Sequence, residues 1–259
     1  MEWNDEAIIL ALQKYGEADA ILDVLTKDHG RARGFVRGGM GRKQRGILQP
    51  GNGVHLVWRA RVATNLGSFT VESGPPRAAH LFGDAARLGA MTGMASLLKI
   101  VLPEHEQCPH VYAAFTALLD LLSDENSDLV SCGVALVRFE AGILSDQGFG
   151  LDLAECASTG ENRDLIYVSP KSARAVSAEA GEPYKDKLLP LPAFMLDRVV
   201  PEQNKARATP ADVVNGLRLT AYFLRKHLLL PADRELPEAR MRLPRYFSSA
   251  EQGDQVDTP

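Results

Sequence analysis

The sequence predicts an α+β protein in which a small barrel of short strands precedes a mainly helical domain. Three observations carry that expectation. Through residue 72, apolar residues recur with a period near two between glycine-containing turns. Beyond Pro75-Pro76 the period lengthens to near 3.6. No apolar run approaches the ~20 residues that a membrane-spanning helix needs, so both halves must bury their apolar faces against each other's elements or their own.

Ile8, Leu10 and Leu12 alternate with polar or small neighbours until Gly16 breaks the run. The segment "AILDVLT" follows and ends at the turn Asp28-His29-Gly30, after which "RARGFVRG" is a third strand. Past a glycine-rich loop, "GVHLVWRAR" and "LGSFTVES" are the fourth and fifth. Five short strands separated by such turns fit a closed or partly open barrel of the OB-fold kind, assigned to residues 1–76. Trp58 alternates with Val54 and Leu56, which directs it to the barrel core.

Residues 77–250 form the helical domain, and the polar end, 251–259, is expected to be disordered. "AARLGAMTGMASLLKIVLP" reads as a helix ended by Pro103, and "HVYAAFTALLDLL" as a second. In the third, "SDLVSCGVALVRFEAGILSDQG", Val130, Val134, Val137, Ala141 and Leu144 make an apolar stripe, and Gly148 stands where a C-terminal cap is expected. Thr209 caps a late helix with Pro210 at its first position and Asp212 in its first turn. Val213, Leu217, Ala221, Leu224 and Leu228 line one side of it.

Charge is distributed unevenly. The formal net charge is −4, yet residues 1–61 hold ten Lys plus Arg against seven Asp plus Glu, and the remainder holds 19 against 26. The stretch "GRARGFVRGGMGRKQRG", Gly30 to Gly46, has six cations and no acid. Strand alternation sets Arg31, Arg33, Phe35 and Arg37 on one side, and Arg59 and Arg61 on one side of the fourth strand. Between these strands, Arg42, Lys43 and Arg45 sit in a loop whose glycines permit close approach to a phosphate chain. A run of cations is usually a solvated face. Here sign purity, alternation and an attached basic loop together favour a polyanion, with Phe35 placed to stack on a base.

Other chemistries lack their residues. The chain has no HExxH or GxSxG, and Gly39-Met40-Gly41 and Gly41-Arg42-Lys43-Gln44 fall short of a dinucleotide fingerprint and a P-loop, so neither an enzyme nor a cofactor is expected. His105, Cys108 and His110 in "HEQCPH" lack a fourth ligand at a fixed spacing and read as a polar connection. Three scattered cysteines argue against a disulfide framework. The start, "MEWNDEAIIL", has acids where a secretory leader carries positive charge, so a cytoplasmic protein is expected. A structural RNA-binding OB protein, such as a ribosome-associated factor, is the rival reading of the same basic barrel.

With "EAIILALQKYGEADAIL", the "GILQP" element from Gly46 to Pro50, "RFEAGILSDQGFGLDLAECASTGE", "VSPKSARAV" and "GLRLTAYFLRKHLL" in view, the chain resembles the RecO family of bacterial DNA repair proteins. The resemblance implies an N-terminal OB-fold, a helical C-terminal domain and binding of single- and double-stranded DNA. It also implies strand annealing, and work with RecR and the single-stranded DNA-binding protein SSB in loading RecA recombinase. It further implies capture of the SSB C-terminal tail on the helical domain, for which Arg138 is the candidate cation. Many RecO-like proteins carry two CxxC pairs in a zinc-ribbon insert, here residues 151–192. Cys156 matches the first cysteine, but Thr159, Ser177 and Ala180 stand at the other three positions, so no zinc is expected. The insert must then be held by packing, with Tyr167, Val168 and Tyr184 as apolar contributors.

Overall fold

A computed structural model of the chain describes residues 1–62, 66–196 and 207–248; the expected disordered tail, 251–259, lies outside the described residues. Two compact units are present, the first comprising Met1–Asn126 with Pro237–Arg240 and the second Ser127–Leu236 with the remainder.

In the first unit, β1 (Glu2–Tyr15), β2 (Asp19–Thr26), β3 (Arg31–Val36), β4 (Gly53–Arg59) and β5 (Ser68–Ser73) close a barrel in the order β1-β2-β3-β5-β4, with β4 returning to β1. All pairs are antiparallel except β3 with β5. The five-stranded OB-like barrel is therefore as the alternation predicts. Its interior is filled by Ile9, Leu22, Val24, Ala32, Val36, Val54, Leu56, Trp58 and Phe69, joined by Leu48 just after the short helix α1 (Arg42–Arg45). Trp58 is in the core, as its alternation indicates.

The first strand is longer than its apolar residues indicate. Glu2 through Ile8 pair with β4, and Ala7 through Tyr15 pair with β2, so one strand joins both neighbours. A bulge between Ile9 and Ala11 shifts the register and brings Leu12 back towards the core that Ile9 enters. Ile8 and Leu10 are also buried, on the outer surface of the strand, where helix α2 (Ala85–Val101) packs on β1. Asp84 caps α2 by accepting from the backbone N–H groups of Ala86 and Arg87. Helix α3 (Pro109–Ser123) follows, and Arg87 ties the two helices by donating to the carbonyls of Leu122 and Asp124.

In the second unit, α4 (Leu129–Asp146) is capped by Asp128 and ends at Gly148, whose φ of +82° is the left-handed C-cap geometry expected there. Its buried face is centred differently from the predicted stripe. Val137 and Leu144 are buried as expected, but Cys132, Gly133, Leu136, Phe139 and Ile143 complete the face in place of Val130, Val134 and Ala141. The reason is close crossing. A Cβ on Gly133 would lie 2.5 Å from Val213 and 2.6 Å from Phe247, so the missing side chain lets α6 (Pro210–Leu224) and α8 (Leu243–Ser248) approach. Thr209 and Asp212 form a full capping box at the start of α6.

The insert contains β6 (Leu165–Val168), β7 (Ala175–Ser177) and β8 (Leu189–Pro190) in the order β7-β6-β8, with a single helical turn, α5 (Ala178–Gly181), after β7. Val168 is fully buried and Tyr167 lies against Gly181, as expected of contributors to its packing. Tyr184 is 60% exposed and contributes no core; Leu165, Ala175, Val176 and Leu191 do so instead. The last short helix but one, α7 (Glu238–Met241), precedes α8. No helix among the described residues is long and apolar enough to cross a membrane.

Candidate nucleic-acid interface

The outward side chains of β1, β2 and β3 make one wall, and its strand register orders them. Gln13, Ile21 and Phe35 form one row across it, and Ala11, Asp23 and Arg33 the next; Leu25 lies opposite Arg31 in a third. Alternation in β3 is as predicted: Ala32, Gly34 and Val36 are buried, while Arg31, Arg33 and Phe35 lie on the opposite side.

The two ends of this wall differ in electrostatics. At the start of β3, the segment following α2 lies across the strand. His105 donates its backbone N–H to the Arg31 carbonyl at 2.8 Å, and Gln107 donates its amide to the Asp28 carbonyl. Gly30 is in the left-handed region at φ +70°, and a Cβ there would fall 1.9 Å from the Glu106 carbonyl oxygen, so glycine is needed for both backbone and space. Beneath this cover Arg31 donates Nε and Nη2 to the two oxygens of Asp23 at 3.0 and 2.8 Å, and Nη1 to the Leu102 carbonyl. Its side chain is 13% exposed, so Arg31 is neutralised and occupied, which differs from the open arginine expected from alternation. Arg33 is freer: it is 36% exposed, with Asp23 and Glu104 only at 3.9 and 3.8 Å.

At the other end, no counter-charge among the described residues pairs with the cations. Arg37, Arg42, Lys43 and Arg45 are exposed, the last three on α1. The loop that carries them is anchored to the β1–β2 turn: Gly38 donates its N–H to the Asp19 carboxylate at 2.7 Å, and Met40 donates to the Ala18 carbonyl at 2.9 Å. Phe35 lies at this open end, 5.7 Å from the Tyr15 ring at an interplanar angle of 87°. Register connects Phe35 through Ser68 on β5 to Arg59 on β4, about 10 Å along the sheet at ordinary strand spacing. Arg59 is exposed and bonded to Glu2 at 2.8 Å, which lowers the pKa of Glu2 and raises that of Arg59; Arg61 is exposed just past the strand.

Sequence reasoning missed Asp23, Glu104 and Tyr15. Asp23 could have been found, because the tight Asp28-His29-Gly30 turn sets it opposite Arg33. Glu104 arrives from beyond the barrel, and nothing local to β3 announces it. Tyr15 ends a strand whose alternation is interrupted by the bulge.

The candidate metal ligands are not brought together. Among the described residues no group of three or more His, Cys, Asp or Glu could hold a metal ion, and Cys108 of the "HEQCPH" segment is buried while His105 and His110 are exposed. At the insert positions Cys156 Sγ accepts from the Ser177 backbone N–H at 3.3 Å and its hydroxyl at 3.5 Å. One sulfur, two hydroxyls and the methyl of Ala180 are not the four thiolate or imidazole ligands of structural zinc, so zinc does not fit this set. Burial, the largest single influence, pushes the Cys156 thiol up, but side-chain and backbone hydrogen bonds from Ser177 and Thr159 outweigh it together and bring the pKa from 9.0 down to about 6. A lowered folded value means stability that is full above the unfolded pKa and lost as pH falls through about 6. Thiolate absorbance at 240 nm should therefore appear with a midpoint near pH 6 and vanish in Cys156→Ser; a midpoint above 8 would refute the hydrogen-bonded thiolate.

Arg138 is exposed on α4 and donates Nη2 to the Phe194 carbonyl at 2.9 Å.

Comparison with known proteins agrees with this architecture. A family model described as recombination protein O N terminal matches residues 1–73, and one described as recombination protein O C terminal matches residues 83–237. The DNA repair protein RecO of Mesorhizobium japonicum is 46% identical over 240 residues, covering 93% of this chain and 91% of that protein. Those of Methylocella silvestris and Rhodospirillum rubrum are 42% and 46% identical, covering 97% and 93% of this chain and 98% and 94% of theirs. An OB-like barrel joined to helices and matched in this way defines a DNA repair and recombination protein. The chain belongs to the RecO family.

Proposed function

We propose that this protein is a non-enzymatic recombination mediator that binds single- and double-stranded DNA and anneals complementary strands. With RecR, it helps load RecA on SSB-coated single strands. The observation that carries the reading is the open end of the barrel, where Arg37, Arg42, Lys43 and Arg45 share one anchored loop without carboxylate partners among the described residues. Phosphate attraction depends on local charge, so a net charge of −4 does not oppose it. Arg33 and Phe35 extend the surface along β3, and Arg59 and Arg61 extend it around the barrel. Arg31 is assigned instead to holding the barrel. The SSB tail, acidic at its end, would meet Arg138 on the helical unit. Action in the cytoplasm, at the nucleoid, follows from DNA as the ligand.

A titration of single-stranded DNA against the protein at several salt concentrations, with and without SSB, tests this. In the Arg33→Ala/Arg37→Ala double variant the slope of log affinity against log salt should fall by about 1.4, or ~0.7 per lost phosphate contact. An unchanged slope removes these positions from the interface, and RNA competing better than DNA of equal length overturns the repair reading in favour of an RNA-binding one.

A further inference from the structure

We infer that Tyr15 and Phe35 form a base-stacking corner that makes the open end of the barrel selective for unpaired bases, with phosphates held by the adjoining cationic loop. The inference rests on the DNA-binding reading above and deepens it by naming the strand form that this corner recognises.

Tyr15 ends β1 with 57% of its surface exposed, although its neighbour across the wall is another aromatic ring. A lone exposed ring needs no explanation, but here three apolar side chains gather at one place. Phe35 is opposite Ile21 in the strand register, and the Tyr15 ring meets Phe35 edge to face at 5.7 Å. The anchoring bonds of Gly38 to Asp19 and of Met40 to Ala18 bring the loop bearing Arg37, Arg42, Lys43 and Arg45 against the turn that Tyr15 enters. The acids nearby do not outweigh it: Asp19, turned towards the Gly38 N–H, and Glu17 are the two acids of the turn, against four cations on the loop. Aromatic surface beside unpaired cations matches a ligand with alternating π faces and phosphates, which is a polynucleotide strand.

The ring geometry chooses between strand forms. At 87° the two rings aim their faces in different directions, so two successive bases can each meet one face only if they are splayed apart. A single strand can splay its bases, whereas a duplex keeps them stacked on each other and paired. Duplex would engage the cationic loop alone.

The test compares oligo(dT) with a duplex of the same length. Tyr15→Ala should weaken oligo(dT) binding by about 5- to 150-fold, since stacking is worth ~1–3 kcal/mol per base, and leave duplex affinity within about twofold. The salt slope should not change, because no phosphate contact is lost. Tyr15→Phe should retain binding and Tyr15→Leu should not, which separates a π face from mere apolar bulk. Oligonucleotide carrying 5-iododeoxyuridine should photocrosslink to the peptide containing Tyr15 or Phe35. Equal losses for both DNA forms, or no loss for oligo(dT), would overturn the stacking corner while leaving DNA binding intact. Absence of DNA binding by the unmodified protein would overturn the parent reading and this one together. Thermal melts of each variant confirm that folding is unchanged.

Discussion

Replacing Arg42, Lys43 and Arg45 together by alanine is expected to lower single-stranded DNA affinity by about fifty-fold at ~0.15 M salt and to reduce the salt slope by about 2. Both figures come from one source. Each neutralised phosphate releases ~0.7 of a counterion from a single strand, and three contacts at this ionic strength sum to somewhat less than two powers of ten. The variant should fold normally, because α1 buries none of its own side chains and the adjacent core contact is made by Leu48. Fluorescence anisotropy across a salt series reads both numbers. A slope that stays unchanged while affinity falls would mean that the loop acts through the shape of the barrel and not through phosphates.

Asp23→Ala is expected to destabilise the first unit by about 3 kcal/mol while DNA affinity of the folded protein stays equal or rises. Asp23 is 5% exposed and receives both donors of the Arg31 fork, so its removal leaves a largely buried guanidinium with Glu104 at 3.7 Å as its remaining carboxylate. Removing one partner of such a pair is far more damaging than removing both. The double variant Asp23→Leu/Arg31→Met should therefore recover much of the loss, as read from urea denaturation midpoints. A single Arg31→Ala change that lowered the salt slope without lowering stability would return Arg31 to the DNA surface.

The strands from β2 onward were legible because their inward residues alternate cleanly between glycine turns, and the helices because their caps are local. Asp84, Asp128 and the Thr209–Asp212 box all sit within three residues of the N–H groups they satisfy. The polar half of β1 was not legible. "EWNDE" is held by backbone pairing with β4, which leaves no apolar signature beyond Trp3. The buried face of α4 was only partly readable, because Gly133 contributes space and not apolar surface, and hydropathy does not register a gap. At the interface, alternation correctly separated outward from inward residues but could not tell a solvated arginine from a paired one. That distinction depends on Asp23, set beside Arg31 by the pairing of β2 with β3, and on the Leu102 carbonyl and Glu104, more than seventy positions after Arg31. In the insert, Thr159 and Ser177 hydrogen-bond to the one sulfur, Cys156, a contact that the spacing of the cysteine alone does not announce.

The cover that α2 and the segment behind it lay over the barrel bears on how this protein is dissected. A fragment cut at Pro75-Pro76, inside the first unit, would remove α2 from the side of β1 where Ile8 and Leu10 are buried and leave the Arg31 guanidinium without its backbone acceptor from Leu102. Such a truncation would be a stickier and more cationic object than the barrel in its native setting, and its grip on nucleic acid would overstate that of the parent. The smallest faithful miniature reaches at least to the end of α3.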